Sequence, residues 1–269
     1  MEPIARAMTL ELPEPDFTEL PHSPLELVVC QIRFERRLAA SDSSTARAIH
    51  EALGSTADGY PQVEPAGTAT LSVIAAPGQQ PPGVSEAMLS GWRFVSRDRR
   101  WIATVMPDHA SLETTAYTTF AKDFEPRLAR LIDAVAEHVQ PTFEQRVGLR
   151  YVDRITELQL KSLAEWEPYL RPQMLGLVLH PELGPGVRAM QHQTILHLDE
   201  DLRCGLRHGP LVNDDTGVVD FVLDYDVFRE RGQVFDAAGI KDAASQMNRW
   251  AQQLFEATIT DELLQRLRG

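Results

Sequence analysis

The sequence predicts an α+β protein of two tandem similar halves, each an antiparallel sheet with a short helix and a long helix packed on one face. Three observations carry this. Residues 25–35 and 143–155 alternate apolar and polar side chains with the period of a half-buried strand. Each is followed by a short helical stretch, further strand-like runs separated by turn residues, and a long amphipathic helix, an order that implies antiparallel sheets with helices on one face. The two leading strands also echo one another, because Arg33-Phe34 and Arg150-Tyr151 both set an arginine beside an aromatic ring.

Residues 1–24 contain Pro3, Pro13, Pro15, Pro21 and Pro24, which suit an extended lead-in rather than a helix or strand. The first half then runs over 25–141. In its leading strand Val28, Cys30, Ile32 and Phe34 form a fully apolar side. Ser41-Asp-Ser-Ser-Thr45 caps a short helix with Ala46, Ile49 and Leu53 on one face, ended by Gly54. Thr68–Ala75 reads as a strand and Pro77–Gly83 as a loop. Trp92–Val95 and Trp101–Val105 flank Ser96–Arg100 as a hairpin, and Ser111–Tyr117 adds a third strand. Phe120, Phe124, Leu128, Leu131, Ile132, Val135 and Val139 recur at helical spacing. Pro126 either kinks that helix or marks a start near Glu125.

The second half covers 142–269. Its leading strand places Val147, Leu149, Tyr151 and Ile155 on one face and Arg146, Arg150 and Arg154 on the other. A short helix is expected around Leu163–Leu170, then a Pro- and Gly-rich loop. A hairpin follows, with arms Val187–Leu198 and Leu202–Arg207 around the turn Asp199-Glu-Asp201. Val218–Phe228 is a further strand. The last helix, over 240–267, is interrupted near Thr260-Asp261. Tyr117 and Tyr225 each close a meander ahead of a long helix, which supports the duplication.

Composition narrows the function classes. Hydrophobic residues at 43% and charged residues at 24% describe a chain able to build a sizeable core. A net charge of −13 repels polyanions unless basic residues cluster locally, so nucleic acid is not the expected partner. The start of the chain lacks the charged and apolar regions of a secretory signal, and no apolar run is long enough to cross a bilayer. Cys30 and Cys204 lie inside strands, away from any CxxC spacing, and read as buried reduced thiols. A cytoplasmic location is expected.

Several constellations have two readings. Arg146, Arg150 and Arg154 share one sheet face and could clamp a carboxylate or phosphate; with 39 acidic residues in the chain, pairing with neighbouring strands is the plainer reading. Asp220, Asp224 and Asp226 share one face of their strand, either for acid–base or Mg²⁺ chemistry or as counter-ions to those arginines. Arg93, Arg97, Arg99 and Arg100 interleave with Trp92, Phe94 and Trp101, a composition used on single-stranded nucleic acid, but also that of a charged hairpin tip. His192, His197 and His208 lie on one hairpin. On a strand, however, positions 192 and 197 face opposite ways, so a shared metal needs a bulge. There is no Gly-rich phosphate loop, nucleophile elbow or cysteine–histidine pairing.

Ser23-Pro-Leu-Glu-Leu-Val-Val-Cys-Gln-Ile-Arg-Phe34, Gly91-Trp-Arg-Phe-Val-Ser96, Tyr117-Thr-Thr-Phe120, Arg146-Val-Gly-Leu-Arg-Tyr-Val-Asp-Arg154, Leu223-Asp-Tyr-Asp-Val-Phe228 and Leu254-Phe-Glu-Ala-Thr-Ile-Thr-Asp261 follow in that order. Over roughly residues 20–265 the chain resembles a sporadically distributed bacterial family with an Arg-x-Gly-Leu-Arg-Tyr core. The resemblance brings no activity and no functional residues. Patchy distribution implies an accessory, immunity or chaperone-like role.

The leading expectation is therefore a non-enzymatic protein that engages a protein partner through a sheet face or an inter-half groove. Arg33, Arg146, Arg150, Arg154, Asp224 and Asp226 are the candidate binding residues. No cofactor, metal or catalytic residue is expected, and apolar positions on the last helix could pair two copies as a homodimer. The alternative is a small-molecule-binding or enzymatic protein with an apolar pocket between sheet and long helices, lined by Trp92, Trp101, Trp166 and Trp250. A third reading, metal-dependent hydrolysis, would use His192, His208 and the Asp224/Asp226 strand.

Overall fold

In a computed structural model of the protein, residues 10–56, 59–67, 89–156, 158–213 and 215–269 are described. The expected strand Thr68–Ala75 and loop Pro77–Gly83 lie outside them.

Alternation in the leading strands sorts the side chains as expected. In β1 (Leu25–Phe34) Val28, Cys30, Ile32 and Phe34 are buried, and in β6 (Phe143–Ile155) Val147, Leu149, Tyr151 and Ile155 are buried. The two strands pair with each other, Cys30 opposite Leu149 and Ile32 opposite Val147. That pairing joins everything else into one sheet.

The remaining strands are β2 (Gln62–Gly67), β3 (Leu89–Val95), β4 (Trp101–Met106), β5 (His109–Thr114), β7 (His192–His197), β8 (Arg203–Val212), β9 (Val219–Arg229) and the short β10 (Gln233–Val234). Among the described residues these form a single ten-stranded antiparallel sheet in the order β2-β3-β4-β5-β1-β6-β9-β8-β7, with β10 pairing β6. The sequence left open one continuous sheet or two separate ones, and the structure has the first: the backbone edges of β1 and β6 satisfy each other rather than remaining two open edges.

Helices cover one face. α1 (Ser43–Leu53) buries Ala46, Ile49 and Leu53 and ends at Gly54, whose φ of 91° suits glycine. A π-helical turn, Phe120–Phe124, leads into α2 (Glu125–His138); Pro126 sits in the first turn, where no amide hydrogen is needed, so the helix begins there and is not kinked. The helix expected around Leu163–Leu170 is instead a 3₁₀ turn, Ala164–Trp166, followed by the short α3 (Pro172–Leu175). Pro168 and Pro172 leave too little uninterrupted chain for a longer helix there. α4 (Ala237–Thr258) is capped by Asp236, and Thr260 caps the separate α5 (Asp261–Arg268). Among the described residues no helix is long and apolar enough to cross a membrane.

The other sheet face carries the arginine row. At the helix-covered face β6 also contributes Glu144, fully buried and bonded by both oxygens to Arg229 at 2.9 and 2.8 Å, with Gln233 adding a third contact at 3.2 Å. The segment 10–24 has no helix or strand but is fastened along α4 and α5. Gln253 donates to the Leu12 and Pro13 carbonyls, the Asp16 amide donates to Glu256, and the His22 amide donates to the Leu267 carbonyl.

Candidate functional site

Of the residues expected to bind a partner, all but Arg33 are paired with one another or with neighbouring strands inside the sheet. Arg150 reaches diagonally from β6 to Asp224 on β9, with bonds of 2.7 and 2.8 Å. Arg146 bonds Asp226 at 3.0 and 2.9 Å, and Arg154 bonds Asp220 at 3.0 and 2.7 Å. Arg207 adds a longer contact to Asp224, 3.4 Å. Gly148 has a reason in this arrangement: a Cβ there would stand 2.5 Å from the Arg146 guanidinium, which crosses over it to lie 4.8 Å from the Phe228 ring. Asp220, Asp224 and Asp226 are thus the counter-ions of the arginine row. Arg33 is exposed on the same face, opposite Arg146 and His109.

The other constellations resolve similarly. Arg99 bonds Gln62 and Glu64, Arg93 approaches Glu113, and Arg100 donates to the Thr115 carbonyl. Trp101 is buried, and Trp92 donates to the Ser41 carbonyl. His192 and His208 do meet, stacked at 4.9 Å between ring centres, whereas His197 faces the other way. Burial, then the neighbouring His192, pushes His208 down to about 4, so it is neutral at pH 7. Asp224 and Asp226 lie on the opposite sheet face from this pair, and no group of three metal-ligating side chains exists among the described residues. The metal-hydrolysis constellation is corrected on that geometry. Trp250 borders a cavity beside Leu10, Leu12 and Glu14, but none of the four tryptophans lines the cavity between the sheet and α4.

That cavity, about 450 Å³, lies on the helix-covered face. Its floor is the sheet, through Tyr151 and Asp153 of β6 and Tyr225 of β9. One wall is α4, where Asn248, Ala251, Gln252 and Phe255 recur with helical spacing on a single stripe. Phe120 and Tyr117 stand opposite, and Asp16–Leu20 of the N-terminal segment lie along the rim with Lys122 and Arg268. Both cations are engaged there, Lys122 with Glu19 and Arg268 with Asp16.

Polar groups inside are unevenly satisfied. Tyr151 donates to Asn248 Oδ1 at 2.7 Å, and with its single proton so used it stands 3.5 Å from the Tyr117 hydroxyl as acceptor. Tyr225 and Thr258 share a bond of 2.5 Å. Burial pushes Tyr117 up to about 12, and Tyr151 and Tyr225 well above the phenol range, so all three remain protonated. Asp153 differs. It is 6% exposed and makes no hydrogen bond or ion pair with the described residues, yet it faces the cavity. Burial, reinforced by the charge of Asp224, pushes its carboxyl up to about 7. Gln252 Oε1 is the second unmet group, buried without a hydrogen-bond partner in the same wall. Tyr60 Oη and His208 Nδ1 are also buried without a partner elsewhere in the protein, so what sets this cavity apart is a buried, unpartnered carboxyl facing an open volume.

Asp153 was in view in the sequence. It interrupts the apolar face of β6, whose other members are Val147, Leu149, Tyr151 and Ile155. Asn248 interrupts the apolar stripe of α4 in the same way, and Gln252 lies at its edge. Comparison of the chain with models of protein families and with curated proteins yields no match.

Proposed function

We propose that the protein binds a small molecule in the cavity between the sheet and α4. The observation that carries this reading is the unpartnered, buried carboxyl of Asp153 facing a volume of about 450 Å³. Ligand sites combine that size with mostly apolar walls and a few converging polar groups. Here the polar groups come from two strands and one long helix, elements rigid enough to hold a ligand in one pose. The protein-partner reading through the arginine face is weaker. A partner would have to displace carboxylates already bonded to Arg146, Arg150 and Arg154. An enzymatic form of the pocket reading would use Asp153 as a general acid or base, since a carboxyl near 7 is matched to that task.

Two finer points belong to the same proposal. We read the chain as a tandem duplication meeting at the β1–β6 pair, supported by the parallel order β5-β4-β3 beside β1 and β9-β8-β7 beside β6. On that reading the cavity draws on both halves, through Tyr117 and Tyr225. We also place the protein in the cytoplasm, supported by two free, buried thiols.

Native mass spectrometry of the protein isolated from its own host tests the proposal. A small adduct on a single chain or a homodimer is the expected result. A stoichiometric second protein without an adduct would return the function to the partner reading.

A further inference from the structure

We infer that the ligand is an organic amine carrying its positive charge at Asp153 and an apolar body against the aromatic walls. This rests on the pocket reading above and adds the chemistry of its occupant. The Asp153 carboxyl faces the cavity without a bond to the described residues, and Gln252 Oε1 in the same wall is buried without a partner; a carboxylate and an amide oxygen both accept hydrogen bonds. An ammonium offers up to three donors and a charge that offsets the desolvated carboxylate.

The surroundings select in the same direction. Asp16, Glu19 and Glu256 join Asp153 around the cavity, while its only cations among the described residues, Lys122 and Arg268, are held by Glu19 and Asp16. A carboxylate or phosphate ligand would meet acids and no free positive charge. Tyr117, Tyr151 and Phe120 present ring surface, which attracts a cation by its quadrupole and an alkyl body by burial. Phe17, 53% exposed at the rim, can extend that apolar surface along the ligand tail.

The test compares n-octylamine, n-octanol and n-octanoate by isothermal titration calorimetry on the full chain at pH 8. The expected order is amine, then alcohol, then carboxylate, with the amine about tenfold or more tighter than the alcohol, as one charge-assisted hydrogen bond provides. Asp153→Asn keeps the shape and should retain octanol binding while losing the amine preference. Gln252→Leu should weaken the amine to a smaller extent. Equal binding of amine and alcohol by the wild type overturns the amine assignment and leaves the pocket standing. So does an amine preference untouched by Asp153→Asn, which would place the amine on the acidic surface instead. Failure of all three probes to bind overturns the pocket reading itself.

Discussion

Replacing Asp153 with Asn removes a carboxyl that folding forces into a site with no partner, so the variant should be more stable than the wild type at neutral pH. The magnitude follows from linkage. Asp153 has a carboxyl pKa of 3.8 when solvated and about 7 when folded. The unfolded chain therefore loses this proton first as pH rises. The contribution of the group to stability is full below 3.8, falls between 3.8 and about 7, and is flat above. Each pH unit in that window is worth about 1.36 kcal/mol, giving a ceiling of about 4 kcal/mol. The carboxyl borders a cavity large enough to hold water, which returns part of its solvation, so roughly 2 kcal/mol is the expected floor. Tyr117, Tyr151 and Tyr225 stay protonated throughout, and the remaining acids around the cavity, Glu256, Asp16 and Glu19, are present in both chains and cancel in the difference. Urea unfolding of both proteins at pH 4 and pH 8 is the assay. The advantage of Asn should grow by about 2–4 kcal/mol across that range. An advantage independent of pH would mean that the carboxyl ionises as it does in water, and a variant less stable at pH 8 that the carboxylate is held by a partner; either result would remove the basis of the site.

Three further outcomes follow from the same structure. Glu144→Gln leaves the Arg229 guanidinium buried without its counter-charge and should cost about 3–5 kcal/mol in urea unfolding; the double variant with Arg229→Met should recover much of that loss. Arg150→Ala should cost about 1 kcal/mol or less, because Arg150 is 42% exposed and Asp224 keeps Arg207; a loss of several kcal/mol would show that the ladder carries the sheet. Cys30 and Cys204, both buried with thiols pushed up to about 12, should resist iodoacetamide at pH 8 and react fully in urea, as counted by intact mass.

The strands β1 and β6 were legible because their alternation reports directly which face is dry. The cap at Thr260 was legible because it rests on the hydrogen-bonding capacity of one residue, whereas Pro126 left a kink and a helix start open and the structure has the start. Asp220, Asp224 and Asp226 were legible as counter-ions because all three fall on one face of their strand, as Arg146, Arg150 and Arg154 do on theirs. The site was not read, although Asp153 and Asn248 were visible as interruptions. Both break apolar faces on elements far apart in sequence, with Gln252 at the edge of one, and nothing local says that the three meet. The tryptophans drew attention by size, but large rings fill cores more often than they line sites.

Sequence by itself determined the α+β class, most of the elements and which side of β1 and β6 is buried, since these depend on periodicity and on single-residue backbone chemistry. Only the tertiary structure decided that β1 and β6 join into one sheet, because edge pairing is a choice between chain segments with equally free hydrogen-bonding groups. Only it decided that β6 and α4 leave a gap at Tyr151 and Asp153. A cavity is a failure of two surfaces to meet, and that property belongs to neither surface alone.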